Sequence, residues 1–354
     1  MANIEKKCPS CAATLTYDPG SASLVCDYCG YSEQVAGFGQ GTVQGVGFNN
    51  QTIYSLQDYS IINKYNVCKQ CGAQIMVSDV QLSNTCPFCG SHSISEVVDS
   101  SNSMPPHGIF PFYITKEQAK ECFFRYVNTC HLVPKNIRDG SALSEFVGVY
   151  LPFWSFDTDS VSQYEGKFGT YRGAGDDQYT HYEKRSGILR KRFENYWIIA
   201  SGRRDLYNVL KRMDKCDITK LEPFREEVLS GFYAERYSVP INEAWDQVRD
   251  KFRTEIQNAI VQDVRADTYS YVNFEPVYTN STVRYFLAPF WITYYTHKGK
   301  SYPLLVNGQS GKALTMWPQV SPAWAILIVF AIIFIVFGLI FGLSLLRMLF
   351  WFRT

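Results

Sequence analysis

The chain has 354 residues, 46% of them hydrophobic, and sets 34 Lys and Arg against 33 Asp and Glu for a formal net charge of +1. That length exceeds one small domain, and a charge balance so near zero excludes a global field that would gather nucleic acid or a membrane surface. The 11 cysteines are distributed far from evenly, with eight of them crowded into the first 89 residues.

From the N-terminus, residues 1–33 carry Cys8, Cys11, Cys26 and Cys29 in the frame C-x2-C-x14-C-x2-C, and residues 65–97 repeat it with Cys68, Cys71, Cys86 and Cys89. Two CxxC knuckles present four thiolates to one tetrahedral ion, and the spacer is long enough for a strand out and a strand back. Each segment is therefore expected to be a zinc ribbon holding one structural Zn2+. A disulfide framework of the secreted kind is the alternative. The opening Met1-Ala2-Asn3-Ile4-Glu5-Lys6-Lys7 has no apolar signal core, and the two cysteines of one CxxC are poor partners for a scaffold bridge. About 30 residues cannot bury enough apolar surface alone, and a structural zinc contributes on the order of 10–16 kcal/mol in place of the missing core. Gly30, Gly72 and Gly90 follow their knuckles and suit a left-handed turn, whereas Ala12 stands in that place at the first knuckle. An all-cysteine shell leaves no open coordination position, so the sites read as structural rather than catalytic. Cys122, Cys130 and Cys216 fall outside the frames and read as buried small hydrophobes.

Residues 34–64, with the run GFGQGTVQGVGFNNQ, read as a flexible linker. A second linker covers 98–108. Residues 109–318 are aromatic and β-branched and read as an α+β domain, an antiparallel sheet with helices on one face. Helical spacing covers 116–130, with Ala119, Phe123, Phe124 and Val127 on one side. Strands are expected over 146–156, 164–171, 180–184 and 189–199, with Ser186-Gly187 as a hairpin turn. Helices are expected over 224–236 and 241–264, the second with Ala244, Val248, Phe252, Ile256 and Ile260 on one stripe. Strands return over 269–274, 282–296, 302–306 and 312–316, the last two separated by a glycine-rich turn. Leu151-Pro152-Phe153-Trp154 is echoed by Ala288-Pro289-Phe290-Trp291, as a duplicated β-α unit or two equivalent strands of one sheet would give; the prolines suggest edges or bulges.

The C-terminal part, residues 322–350, contains 24 uncharged residues, AWAILIVFAIIFIVFGLIFGLSLL. A bilayer core needs about 20 apolar residues as a helix, and Trp317, Trp324, Trp351, Arg347 and Arg353 flank the run as interfaces favour. One transmembrane helix is the expectation, a tail anchor placing the protein at the cell membrane as a single-pass protein with its body cytosolic. A shallow hairpin bent at Gly338 and Gly342 is the alternative.

With these parts in order, the chain resembles the bacterial membrane-anchored twin zinc-ribbon proteins of the YdjG type, also labelled TFIIB-type zinc ribbon-containing proteins, over nearly its whole length. The family's CPxC…CxYCG pattern falls on Cys8, Cys11, Cys26 and Cys29, and its CxxCGA…CPFCG pattern on Cys68, Cys71, Cys86 and Cys89. Its PFW strands fall on Pro152 to Trp154 and Pro289 to Trp291, and its NGQTGK turn on Asn307 to Lys312. The chain departs from the pattern at Ala12 and in a tail with room for one span. The resemblance implies a cytosolic adaptor on the bacterial membrane, with phage-shock-protein-A-like and SPFH-type membrane-stress proteins as partners and no catalytic residue.

Three functions are weighed. The first is a non-enzymatic scaffold whose closed metal sites offer rigid edges to partner proteins at the inner face of the membrane. The second is a nucleic-acid-binding ribbon protein, opposed by local charge, since residues 1–33 hold Lys6 and Lys7 against Glu5, Asp18, Asp27 and Glu33. A helicase reading lacks motor residues. The third is an enzyme: the one Gly-Lys-Ser has Tyr294 where a phosphate loop needs its first glycine, and no nucleophile and base stand in register. Asp157 and Asp159 form a close carboxylate pair, able to hold a cation or to sit solvated at a strand end. Lys184, Arg185, Arg190, Lys191 and Arg192 crowd one predicted hairpin, either as a solvated face or as contacts for anionic lipid headgroups.

Overall fold

The computed structural model describes residues 6–36, 39, 41–49, 53, 63–76, 86, 88, 91–99, 104–130, 133, 135–141, 143–297, 300–315, 328 and 330–338. The chain divides into two compact units, Met1–Thr315 and Met316–Thr354. In the first, β1 (Thr16–Asp18), β2 (Ser23–Val25) and β3 (Ser32–Gln34) form a small antiparallel sheet, with β1 and β2 between the first two knuckles and β3 after Cys29. The short strand β4 (Val46–Gly47) follows, then β5 (Asn63–Cys68), β6 (Gln74–Met76) and β7 (Ile94–Asp99), an antiparallel set in the order β6-β5-β7.

The remaining elements build the body: β8 (Gly108–Ile109), α1 (Lys116–Thr129), α2 (Lys135–Arg138), β9 (Val147–Arg172), β10 (Tyr179–Ile199), α3 (Arg204–Leu210), β11 (Glu222–Pro223), β12 (Tyr233–Glu235), α4 (Ile241–Asp263), β13 (Thr268–His297), β14 (Lys300–Asn307) and β15 (Ala313–Thr315). Three long strands dominate. β9 runs antiparallel to β10 on one side and to β13 on the other. Along its first half, β9 is buried on both faces; further on, burial alternates, as a strand covered on one face requires. The cover is α4, whose buried stripe of Ala244, Val248, Phe252, Ile256 and Ile260 is the one its spacing predicts. Phe252 stacks on Phe193 of β10 with ring centroids 3.8 Å apart. Helix α1 buries Ala119, Phe123 and Val127, and Thr115 and Gln118 close a reciprocal cap at its start.

The expected fold class needs correction. In place of an α+β domain with a purely antiparallel sheet, the described residues of the first unit form a mostly β structure, a 12-stranded mixed sheet beside the small three-stranded one, with four α-helices. β12 lies parallel to β9, and β8 lies parallel to β13. The second ribbon is part of this sheet rather than a separate module, because β12 also pairs with β6, Ala234 opposite Met76 and Glu235 opposite Ile75. Residues 224–236 do not form the expected helix. A short 3-10 turn, Glu226–Leu229, ends near Gly231, whose φ of 87° turns the chain into β12. Ser186-Gly187 is not a hairpin turn but mid-strand in β10. A Cβ at Gly187 would come within 2.7 Å of the Tyr164 hydroxyl, so glycine is there to let that ring lie flat across the strand. The reversal comes instead at Gly173 and Gly175, with φ of 86° and 63°.

The two PFW segments occupy neighbouring antiparallel strands, Phe153 opposite Phe286 and Tyr150 opposite Pro289. Neither proline marks a sheet edge. On one side of β9 the partner changes from β12, which ends at Tyr150, to β10, which begins at Phe153; on the outer side of β13 it changes from β8 at Leu287 to β14 at Phe290. Pro152 and Pro289 sit at these exchanges, where no neighbour needs their missing N–H, and their carbonyls accept from Ala200 at 3.0 Å and Gly308 at 2.9 Å. Within the segment read as a linker, β4 pairs with β13, and Phe48 lies edge-on to Phe156 and Trp245.

The second unit is described only at Ile328 and residues 330–338, which are helical; most of the apolar run lies outside the described residues. Among the described residues no helix is long and apolar enough to cross a membrane. The expected C-terminal transmembrane helix is corrected accordingly, and with it the tail anchor, the single-pass cell-membrane localisation and the bilayer contact that depended on it.

Candidate metal centres

The sulfurs of Cys8, Cys11, Cys26 and Cys29 all lie within 4.8 Å of one another, as do those of Cys68, Cys71 and Cys86; Cys89 lies outside the described residues. The backbone explains the convergence. At the first knuckle the Cys8 N–H donates to Ala13 O at 2.7 Å and the Ala12 N–H to Cys8 O at 2.9 Å; at the second, Cys26 donates to Tyr31 O at 2.8 Å and Gly30 to Cys26 O at 2.9 Å. Cys68 with Gly72 and Ala73 repeats the same turn. Ala12, Gly30 and Gly72 have φ of 59°, 72° and 76°, so Ala12 adopts the left-handed turn without a glycine's freedom.

The arrangement fits a metal rather than a bridge. Sulfur pairs lie 3.5 Å apart for Cys8 and Cys29, 3.4 Å for Cys11 and Cys26, and 3.8 Å for Cys71 and Cys86. A tetrahedron with metal–sulfur bonds of about 2.3 Å has edges of about 3.8 Å, whereas a disulfide needs about 2.0 Å. Among the described residues no cysteine is joined to another by a disulfide. The Cys29 backbone N–H, outweighing desolvation and aided by the Tyr28 N–H, brings the Cys26 thiol down to about 7. Cys8 is also lowered: desolvation opposes it, but the backbone N–H groups of Ser10 and Cys11 prevail. Cys11 and Cys29 shift the other way: the Ala13 and Tyr31 N–H groups lower them, but Cys26 and Cys8 across the cluster, with desolvation, prevail and raise them. Cys8 and Cys26 are thus the thiols readiest to ionise toward a cation. Both clusters can therefore hold a metal ion. In the first, Cys8 and Cys26 are buried while Cys11 and Cys29 reach the surface beside Tyr28, which is 87% exposed.

Both clusters are fixed to the body by one segment. The Tyr17 N–H donates to Ser230 O at 2.9 Å and the Ser230 hydroxyl to Leu15 O, holding the first ribbon; the Arg236 N–H donates to Gln74 O at 2.8 Å, continuing the β12–β6 pairing to the second. Beneath the second ribbon lies a buried polar group that sequence reasoning missed. The Arg203 side chain is fully buried, donates to Asp205, to the Tyr294 hydroxyl and to Phe88 O, and lies over the Phe88 ring. Phe88 lies two residues after Cys86, so the guanidinium ties that knuckle to the sheet. Ser201 donates to both oxygens of buried Glu235, whose carboxyl burial pushes up to about 8 against the opposing pull of Arg203. No periodicity or spacing in SGRRD points to this role.

The remaining sequence candidates are accounted for. Asp157 and Asp159 are half-buried and each is engaged by an arginine: Asp157 pairs with Arg284 at 2.8 Å, and Asp159 with Arg192 at 3.1 Å. The five cations of the predicted hairpin do not form a free patch for lipid headgroups. Arg185 pairs with Glu183, Lys191 with Glu255, and Arg192 with Asp159 and Glu194, leaving Lys184 and Arg190. Cys216 is buried beside Asn307, and burial pushes its thiol up to about 12; Cys122 and Cys130 are half-buried.

Over 325 residues, 88% of this chain and 89% of its relative, the sequence is 23% identical to YdjG, an uncharacterized protein of Bacillus subtilis (strain 168). No family model matches the chain. No solved structure matches it.

Proposed function

We propose that this chain is a non-enzymatic docking scaffold of the YdjG type, a twin zinc-ribbon protein that presents rigid ribbon edges to a protein partner. One structural Zn2+ is held by Cys8, Cys11, Cys26 and Cys29, and a second by Cys68, Cys71 and Cys86 with Cys89 completing the frame. Four thiolates close the coordination shell, so the ion shapes the chain and activates no water or substrate.

The observation that carries this reading is Tyr28. It stands 87% exposed between two ligands, on a turn that the metal would hold still. An exposed tyrosine on a rigid turn gives large contact area at low entropic cost, which is why this residue recurs as an interface anchor. The ribbons are hydrogen-bonded to the body, so a partner docking there meets a fixed surface rather than a tethered one.

A photo-crosslinking amino acid in place of Tyr28 tests the proposal in cells. A discrete protein adduct is expected with the intact chain and is expected to vanish when Cys8 and Cys26 are both changed to serine. No adduct, or one indifferent to the cysteine changes, would falsify the docking role. Metal content of the purified chain is expected at two zinc per molecule.

A further inference from the structure

Away from the ribbons, a cavity of about 260 Å³ opens where the end of β10 meets α3, α4 and the loop after α3. Its wall is apolar and aromatic, with Phe153, Trp197, Leu210 and Phe290. Three lysines from three different segments also line it: Lys211 after α3, Lys215 in the following loop and Lys251 on α4. Lys215 Nζ lies 5.8 Å from the Tyr196 ring centre and 5.9 Å from that of Trp197, and Lys251 Nζ lies 5.7 Å from Tyr196. The aromatic rings thus hold two ammonium groups at the mouth.

The charge around this mouth is unbalanced. Among the described residues no carboxylate forms an ion pair with any of the three lysines. Lys215 donates to a neutral acceptor, Asn195 O, at 3.1 Å. Glu255 on α4 is engaged by Lys191 at 3.1 Å, and its pull on Lys215 ranks behind burial and the repulsion of Lys251. Asp214, the one acid among the described lining residues, accepts the Ser310 hydroxyl at 2.8 Å through one oxygen, while its other oxygen is buried without a partner and sets one negative charge against the three lysines. Burial and then Lys251 lower Lys215; burial and then Lys211 lower Lys251. The three are therefore close enough to repel one another. The Trp197 indole N–H is buried without an acceptor, a further donor in the wall. Concave apolar walls with a few convergent polar groups are the general form of a small-ligand site. Like charges assembled in excess of the nearby carboxylates, at a cost to the free protein, are relieved by an anion of higher charge.

We infer that this cavity binds a small organic phosphate, its phosphoryl head among Lys211, Lys215 and Lys251 and its apolar body against Phe153, Trp197, Leu210 and Phe290. A phosphate monoester suits the site better than a carboxylate, since two negative charges meet three positive ones and three oxygens are offered to separate donors. The inference stands apart from the ribbons and does not require the docking role.

Isothermal titration of the full chain with phenyl phosphate tests it, with inorganic phosphate, 3-phenylpropionate and benzyl alcohol as comparison ligands. Phenyl phosphate is expected to bind at least about tenfold more tightly than each of the others, and more weakly as salt is raised. Lys215→Gln and Lys251→Gln each change an exposed side chain and are expected to weaken phenyl phosphate roughly tenfold. Binding that is absent at millimolar ligand, or unaltered by both lysine changes, overturns the site. Inorganic phosphate binding as tightly reduces it to a bare cationic patch, and 3-phenylpropionate binding as tightly removes the phosphoryl assignment.

Discussion

Asp157 accepts the backbone N–H of Asn195 at 2.6 Å, reaching from the central strand to a bulge in its neighbour. Asn195 has φ of 51°, and the β9–β10 register shifts there, between Phe193 and Tyr196. A second bulge faces it across β9, where Asn280 has φ of 52° and the β13 register shifts between Thr279 and Thr282. Asp157 accepts from Thr282 Oγ1 at 3.3 Å, and Asp159 accepts from Asn280 Nδ2 at 2.9 Å. The close carboxylate pair is thus a latch on two bulges, one in each flanking strand. Asp157→Ala leaves the Arg284 guanidinium and a backbone donor without their acceptor, and is expected to cost about 1.5–3 kcal/mol in urea unfolding. Asp157→Asn keeps an acceptor for Asn195 and is expected to cost less.

Ala234 lies opposite Met76, so the body sheet ends inside the second ribbon. With zinc bound as proposed, chelation is expected to unfold more than the ribbon. β12 loses a neighbour, and Arg203 loses Phe88 above it. Cys68→Ser is therefore expected to lower the melting temperature of the body further than Cys8→Ser, since the first ribbon meets the body through the contacts of Ser230. Amide hydrogen exchange over residues 233–236 gives the check: protection there is expected to fall with Cys68→Ser and to survive Cys8→Ser.

What could be read from the sequence was local chemistry. The cysteine frames brought seven described thiols together because each knuckle is closed by its own backbone. The stripes of α1 and α4 were legible because a helix writes its buried face at a fixed period. Residues 233–235 were not, since three residues become a strand only through β6 and β9 on either side. Gly187 carried the signal of a turn but serves the ring of Tyr164, a residue 23 positions away in sequence and directly opposite in the sheet. Pro152 and Pro289 misled in the same way: a missing N–H is tolerated at a change of partner as well as at an edge, and only topology distinguishes the two.

Ala12 holds a left-handed backbone at φ 59°, where the equivalent positions at two other knuckles are Gly30 and Gly72. A side chain in that region costs about 1–2 kcal/mol, and glycine gives back part of the gain through a freer unfolded chain, by about 0.4–1 kcal/mol. Ala12→Gly is expected to stabilise the first ribbon by up to about 1 kcal/mol. Competition with a zinc chelator checks it, the ribbon yielding its ion at a higher chelator concentration than the parent. Lower metal retention would mean that the Ala12 methyl group contributes packing that the turn geometry does not reveal.

His107 is half-buried, and its Nδ1 accepts the Tyr285 N–H at 2.8 Å, so the native state needs the neutral ring. Burial first, and the Arg284 guanidinium second, hold its pKa below the ordinary 6.5. The unfolded chain therefore takes up a proton near pH 6.5 that the native state refuses. Stability contributed this way is complete above about pH 7 and is lost as the pH falls through 6.5 toward the lower native value. His107→Asn retains an acceptor for Tyr285 but does not titrate. With zinc bound as proposed, its release in acid would affect both proteins alike. The difference in urea midpoint between parent and variant, followed from pH 8 to pH 5, isolates the histidine. The parent is expected to lose more than the variant, and parallel curves would remove the claim.

Phe252 ties the long three-stranded part of the sheet to its one covering helix. Its ring stacks on Phe193 with centroids 3.8 Å apart and planes 17° from parallel, and the edge of Tyr196 meets it at 4.8 Å. It is fully buried, midway along the stripe from Ile241 to Ile260. Beyond Asp157 the inner face of β9 carries Ser160, Ser162 and Gly166 among its larger residues, so the strand itself offers little to fill a gap. Phe252→Ala is expected to cost about 3–5 kcal/mol, the upper range for a buried aromatic in a site that cannot collapse. Phe252→Leu keeps most of the volume and is expected to cost under about 1.5 kcal/mol. Limited proteolysis distinguishes local from global loss. If α4 is the cover, the alanine variant is cut first between residues 173 and 178, where the hairpin turns, before the body is digested. Cleavage spread evenly over the chain would mean that the sheet and helix unfold as one.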